Sequence, residues 1–245
     1  MIMKIFFPSN RMRGRFTSFV LIFIFLFAAA DFGQKIPVNK YGLKVVASAA
    51  LYQEQVAKDS SKKLIDLKKF IPGIFIDVRY ASENNFAKTK FYESQKAFIR
   101  LPAAIALKKI QKELSQQNIS LKIYDAYRPY SVTEKMWEFV HDDRYAASPT
   151  TGSRHNRACA VDVTLVDKKT KKELDMPTPY DDFTVKAHHS YQNLSKKVLK
   201  NRELLRSVMT KHGFESITSE WWHYDFAGWK NYELLDIPFE ELEKR

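Results

Sequence analysis

Cysteine is nearly missing. Cys159 is the only one in 245 residues, so no disulfide can form within the chain and a structural metal site built from thiolates is excluded. Cys159 lies between Ala158 and Ala160 in a strand-like run, where a cysteine acts as a small hydrophobe rather than a nucleophile. Internal repeats, low-complexity tracts and nucleic-acid motifs are also lacking. Lysines such as Lys62, Lys63, Lys108, Lys109, Lys168, Lys169, Lys196 and Lys197 are scattered, which reads as a solvated face or loose attraction to an anionic envelope, with no nucleic-acid partner.

Acid is missing from the first thirty residues, which carry Lys4, Arg11, Arg13 and Arg15. An apolar run from Phe16 to Phe27 follows, then Ala28, Ala29 and Ala30. That run is well short of the roughly 20 residues needed to span a bilayer, and its flanks are those of a secretory leader. Residues 1–30 are therefore expected to be a signal peptide, cleaved near Ala30. The protein is expected to be exported, periplasmic or secreted, with no membrane span after leader removal. An uncleaved anchor, or a start at Met12, is the competing reading. No cysteine follows the apolar run, which argues against a lipoprotein. Four of the forty basic residues leave with the leader, so the remaining charge against 28 acids is a moderate excess.

With 45% hydrophobic and 14% aromatic residues, the chain can bury a full core as one domain. Residues 31–66 are polar and Lys-rich and are expected to be a lead-in, with a short helix over Leu51 to Val56. The compact domain is expected over 67–245. Phe75, Ile76, Val78 and Tyr80 follow the turn signal Pro72-Gly73 as a β-rich run. Ala103, Leu107, Ile110 and Leu114 form one helical stripe, and Leu121 to Tyr127 reads as a core strand. Ser131 with Glu134 has the pattern of a capping box opening a second helix. Ala160 to Leu165 and Glu173 to Met176 read as two strands. Leu194, Val198, Leu205 and Met209 mark a third helix closed by Gly213, and Phe214 to Ile217 and Trp221 to Phe226 read as short strands. The order predicts an α+β fold with a small central antiparallel sheet flanked by helices.

The segment SRHNRACAVD, Ser153 to Asp162, supplies His155 and Asp162, and EWWH, Glu220 to His223, supplies a further His. Two imidazoles and one carboxylate suit a catalytic Zn²⁺, which keeps its fourth position for water. Glu220 lies three residues before His223, in a stretch that favours strand. On a regular strand positions i and i+3 face opposite ways, so Glu220 can reach the same ion only at a bulge or a strand end. Placed there, beside two tryptophans, it would act as general base. Arg128 ends a strand in IYDAYRP, Ile123 to Pro129. It could stabilise an oxyanion or simply pair with Asp125.

In order along the chain, IDVRYASENNF (Ile76 to Phe86), YDAYRP (Tyr124 to Pro129), SRHNRACAVDVTL (Ser153 to Leu165), LDMPTPYD (Leu174 to Asp181) and SEWWHY (Ser219 to Tyr224) resemble the VanX-like D-alanyl-D-alanine dipeptidases. This family falls within the wider group of zinc D-Ala-D-Ala peptidases. The resemblance implies one zinc per chain on His155, Asp162 and His223, with Glu220 as base and Arg128 as transition-state stabiliser. It also implies that Asp181, Ser153 and Tyr80 hold the amino end of a small D,D-dipeptide, in cell-wall peptide metabolism. A buried carboxylate such as Asp181 would suit a free ammonium. Two positions depart from the family: Ala158 stands where it usually has Gly, and a positive φ there would strain the loop, while Cys159 replaces a residue that is commonly small and polar, with no consequence expected for the metal. Rival readings are a D,D-carboxypeptidase acting on peptidoglycan stem peptides, and a non-catalytic zinc-containing envelope-binding module.

Overall fold

A computed structural model describes residues 35–244, so the expected leader lies outside the described residues. Among the described residues, no helix is long and apolar enough to cross a membrane. The first part of the chain forms β1 (Val45–Val46), α1 (Ala49–Lys58), β2 (Leu64–Asp66), α2 (Leu67–Phe70) and β3 (Phe75–Ile76). The middle forms β4 (Phe98–Arg100), α3 (Leu101–Ser115), β5 (Ile119–Asp125), α4 (Tyr130–Val140) and β6 (Ala160–Asp167). The last part forms α5 (Lys196–Lys211), β7 (Phe214–Ser216), β8 (His223–Phe226), β9 (Leu234–Leu235) and α6 (Phe239–Glu243). The fold is α+β, as the order of elements implied.

The main sheet has the strand order β3-β5-β6-β8-β7. Strand β3 runs parallel to β5, and the other pairs are antiparallel. Helix α3 packs on β5, and α5 on β6 and β7. The stripe Ala103, Leu107, Ile110 and Leu114 is fully buried, so the helical periodicity marks the face turned to the core. All of β6 from Ala160 to Val166 is buried. Side chains alternate along a strand, which puts Val161, Val163 and Leu165 on one face and Asp162 and Thr164 on the other.

Cross-strand register sets the site. Asp162 pairs with His223 on β8 and with Asp125 on β5. The β5–β6 register shifts by one residue between Ile123 and Asp125. A regular ladder would set Tyr124 opposite Asp162; the bulge sets Asp125 there instead.

Four expectations change in the folded chain, the first being the β-rich run expected from Phe75 to Tyr80, which ends at Ile76 and leaves Tyr80 in a 3-10 turn (Arg79–Ala81). Ser131 and Glu134 form no capping box, because α4 starts at Tyr130 and its N-cap is Pro129, two residues before the expected cap. The Ser131 N–H and Oγ–H instead donate to Asp236 Oδ1 at 2.9 and 2.7 Å, and Glu134 pairs with Lys40. The acid at the helix start thus comes from 105 residues away, where it still complements the helix dipole. The strand expected over Glu173 to Met176 shrinks to a single bridge between Val166 and Glu173. The segment expected to lead into the domain also contributes to the core: β1 pairs with β9, β2 with β4, and Val46, Leu51, Tyr52 and Leu64 are buried in the main cluster. Removing Leu51 should therefore cost what a core leucine costs. Leu51→Ala is expected to lower the unfolding free energy by about 2 to 4 kcal/mol, measured by urea titration, whereas a solvated lead-in residue would shift it by less than about 0.5 kcal/mol.

Candidate active site

Strand β6 delivers Asp162, β8 delivers His223, and one turn of 3-10 helix (His155–Arg157) just before β6 delivers His155. All three are buried, and their ligand atoms lie within 4.8 Å of one another. Each imidazole has one nitrogen committed elsewhere. His155 Nδ1–H donates to the Ala126 carbonyl at 2.7 Å, and His223 Nε2–H donates to Asp225 Oδ1 at 3.0 Å. This leaves His155 Nε2 and His223 Nδ1 facing each other at 3.2 Å, at 3.4 and 3.0 Å from Asp162 Oδ1. Three acceptors aimed at one point repel unless a positive charge lies among them. Burial opposes protonation of His223, but Asp162 and Asp225 outweigh it and pull its pKa well above the imidazole range. A divalent cation would take that proton's place. The donor set, with both rings oriented by outer acceptors, fits a catalytic metal of the zinc type.

The carboxylates around this point each have their own donors. Burial penalises ionised Asp162, yet His155 and His223 more than offset it and hold its carboxyl well below the usual range. Its other oxygen accepts from Tyr180 Oη–H at 2.8 Å. Asp125 accepts from Tyr92 at 3.0 Å and from Arg128 Nε and Nη2 at 3.2 and 2.8 Å. Arg128 thus makes the expected ion pair and also lines the cleft, its guanidinium 5.0 Å from the Tyr80 ring centre.

Glu220 precedes β8, outside the strand, so the i, i+3 conflict is resolved by a strand end. Its Oε2 lies 3.9 Å from His223 Nδ1. Burial pushes its carboxyl above the usual range and the Asp162 charge adds to that, while the His223 ring opposes it. Trp222 lines the cleft beside it, and Trp221 is buried with its indole N–H on Thr178.

His155, Asp162, His223, Glu220, Arg128, Asp181, Ser153 and Tyr80 all line one cleft of about 420 Å³, within the size range of small-ligand pockets. Asp181 accepts from Tyr80 Oη–H and from the Phe86 N–H, both at 3.1 Å. Burial, aided by the Asp162 charge, pushes its carboxyl up to about 8. The Ser153 hydroxyl accepts from the His155 N–H at 3.2 Å. Cys159 stays out of the cleft, fully buried, and burial pushes its thiol up to about 12.

Sequence reasoning passed over four residues that orient this set: Asp225, Tyr180, Asn156 and, as more than a partner of Arg128, Asp125. Asp225 had a signal, since i and i+2 on a strand share a face. Tyr180 and Asn156 had none. Asn156 reaches across to the Arg128 carbonyl at 3.0 Å and Thr133 Oγ1 at 2.8 Å, a contact only the folded chain brings about.

A His–Asp–His set with a carboxyl beside it, in a cleft with fixed charges, is the site of a metallopeptidase. Residues 60–242 match peptidase family M15, described as D-Ala-D-Ala dipeptidase. The chain is 32% identical over 177 residues to the D-alanyl-D-alanine dipeptidase of Escherichia coli (strain K12), covering 72% of this chain and 91% of that protein. It is 26% identical over 198 residues to the D-alanyl-D-alanine dipeptidase of Enterococcus faecalis, covering 71% and 93%. Among solved structures, the Zn(II) complex of the VanY D,D-pentapeptidase from a VanB-type resistance cassette aligns over 56% of this chain and 77% of its own. That match has 13% identity and a TM-score of 0.36, so nothing about this site follows from it. The chain belongs to the D-Ala-D-Ala dipeptidase family of metallopeptidases.

Ala158 has φ 54° and ψ 40°, in the left-handed region. It is fully buried, and its carbonyl accepts from the Arg100 N–H at 3.0 Å. A Cβ in that region costs roughly 1 to 2 kcal/mol, partly offset by the greater chain entropy of glycine. Ala158→Gly is expected to raise the unfolding free energy by up to about 1 kcal/mol, read from denaturant midpoints; a loss of stability would show that the loop does not carry this strain.

Proposed function

We propose that the protein hydrolyses the D-alanyl-D-alanine dipeptide to two D-alanines, with one Zn²⁺ held by His155 Nε2, Asp162 Oδ1 and His223 Nδ1. The observation that carries this reading is the Glu220 carboxyl, set 3.9 Å from His223 Nδ1 and lining the same cleft as the three ligand residues. When bound, zinc would polarise the scissile carbonyl and acidify a water at that point. Glu220, its pKa raised by burial, takes the proton from the attacking water and hands it to the leaving amine. Arg128, braced by Asp125, aims its positive charge at the developing oxyanion, an effect worth roughly 3 to 4 kcal/mol for one well-placed donor. Asp181, in the same cleft, receives the substrate ammonium. A stem peptide has no ammonium at that position and would forgo the charge pairing with Asp181, which favours the dipeptide over longer substrates. The basic and apolar start of the chain supports export, with the enzyme acting on wall-derived dipeptide outside the cytoplasm.

The zinc-loaded protein is expected to release D-alanine from D-Ala-D-Ala and to leave stem pentapeptides largely uncut, followed by D-alanine detection. Glu220→Gln is expected to lower kcat by at least about 100-fold while metal content, measured by elemental analysis, stays at one zinc. Pentapeptide trimming would favour the carboxypeptidase reading, and zinc without turnover would favour the binding module.

Asp181 also gives a pH test. Its carboxyl titrates at about 8 when folded, against its ordinary 3.8, so between these values the folded state holds more protons than the unfolded one. Stability from this group is therefore full below about pH 4 and lost as pH rises towards 8. Between pH 5 and 8 the wild-type protein is expected to lose more stability than Asp181→Asn, measured by urea unfolding at each pH. Equal slopes would show that Asp181 ionises freely and holds no cost for an ammonium to relieve.

A further inference from the structure

A dipeptide carries a carboxylate as well as an ammonium, and the cleft holds three guanidinium groups that could meet it: Arg128, Arg144 and Arg154. Two are already committed. Arg128 is buried and spends Nε and Nη2 on Asp125. Arg144 is clamped on Asp142, with Nε on both carboxylate oxygens at 2.9 and 3.0 Å and Nη2 on Oδ2, and this pairing pulls Asp142 down to about 2.

Arg154 differs. Its ion pair among the described residues is Nε to Asp225 Oδ2, at 3.5 Å, and its side chain is 48% exposed. Asp225 is the weaker partner for it, because its Oδ1 already accepts from His223 Nε2–H at 3.0 Å. The guanidinium lies 4.8 Å from the centre of the Trp229 ring, and that stacking holds the arm in place without using its N–H groups. The Nη1/Nη2 edge is the fork that binds a carboxylate through two parallel hydrogen bonds.

Position fits chemistry. Asp181 enters the cleft from the side of Tyr80 and Phe86, and Arg154 enters from the side of His223 through Asp225. Both charges line the same cleft as His155, Asp162 and His223, and neither group shares a hydrogen-bond or ion-pair partner with the other. Resting on the dipeptidase reading, we infer that Arg154 is a specificity-determining residue that binds the C-terminal carboxylate of the substrate. The cleft then measures its substrate from both ends: a free ammonium at Asp181 and a free carboxylate at Arg154, one peptide bond apart.

The test compares the zinc-loaded wild type, Arg154→Ala and Arg154→Lys on D-Ala-D-Ala and on the same dipeptide with a C-terminal carboxamide. A charged hydrogen-bonded pair predicts that Arg154→Ala loses about 10- to 100-fold in kcat/KM on the acid, mostly through KM, and stays within about threefold of wild type on the amide. Arg154→Lys should recover part of the loss, since it keeps the charge and lacks the fork. Equal losses on acid and amide would overturn the inference and leave Arg154 as a brace for Asp225; so would an Arg154→Ala variant with undiminished turnover of the acid. Wild-type protein that cleaves neither compound would overturn the dipeptidase reading itself, and this inference with it. If Arg154→Ala does not fold, Arg154→Lys decides: a loss confined to the acid supports the role, and a loss shared with the amide overturns it.

Discussion

Two imidazole nitrogens, each on a ring whose other N–H donates outward, and a carboxylate oxygen are held within 3.4 Å of one another in a buried place. Left to themselves these acceptors would separate or take up a proton. The fold holds them together through the β5–β6–β8 register, in which Asp125, Asp162 and His223 stand side by side on three strands. Strands set this row more firmly than loops could, because a slip of one residue would turn every side chain in the row to the opposite face. The bulge in β5 belongs to the same constraint. It trades an aromatic ring at Tyr124 for a carboxylate at Asp125, which can brace Arg128 and accept from Tyr92.

The third ligand sits outside the sheet, so its loop needs other restraints. The Arg128 N–H donates to the His155 carbonyl at 3.1 Å, and Asn156 returns a bond to the Arg128 carbonyl at 3.0 Å. The end of β5 and the His155 turn therefore move as one piece. Arg100 closes the other side. It is fully buried, and its guanidinium donates to the backbone carbonyls of Lys62, Arg157 and Glu233. A cation surrounded by carbonyls ties the His155 loop to the segment before β2 and to the one before β9. This explains why residues 45–66 are part of the domain: they supply one wall of the clamp behind a metal-type ligand.

What the sequence disclosed and what it concealed follows from how far apart the interacting residues lie. Helices α3 and α5 were legible because their apolar stripes repeat within the helix itself. Strand β6 was legible from its length and apolar content, and His155, Asp162, Glu220 and His223 from spacing and chemistry. The i, i+3 conflict at Glu220 called for a bulge or a strand end, and the chain has the strand end, with β8 starting at His223 rather than Trp221. The start of α4 was misread, because the acid that serves Ser131 is Asp236, from another part of the chain. The pairing of β1 with β9 spans nearly the whole domain, and two-residue strands have no period to detect. Tyr180 and Asn156 orient the set through contacts that exist only after folding, so their types alone suggested nothing, whereas Asp225 was signalled by its place two residues beyond His223 on one strand.

Backbone strain marks the same region. Six non-glycine residues among those described have positive φ, and Lys88, Asn118, His141 and Lys171 are found at turns or a helix end. Ala158, with φ 54°, likewise ends the 3-10 turn that carries His155, and Asp181, with φ 62°, is a turn residue that lines the cleft. Aspartate tolerates this region better than most residues, but Asp181 adds a second cost, a carboxyl whose ionisation burial resists. Residues that oppose local preference persist where surrounding structure over-determines them, and here the surroundings are the hydrogen bonds from Tyr80, Phe86 and Arg100. An ammonium arriving at Asp181 would supply the charge its environment lacks, so part of the energy withheld in folding becomes available for recognition. A neutral group at the same place would leave the carboxyl protonated and gain no such pairing, and an anionic one would be repelled once it ionises, so discrimination needs no steric barrier.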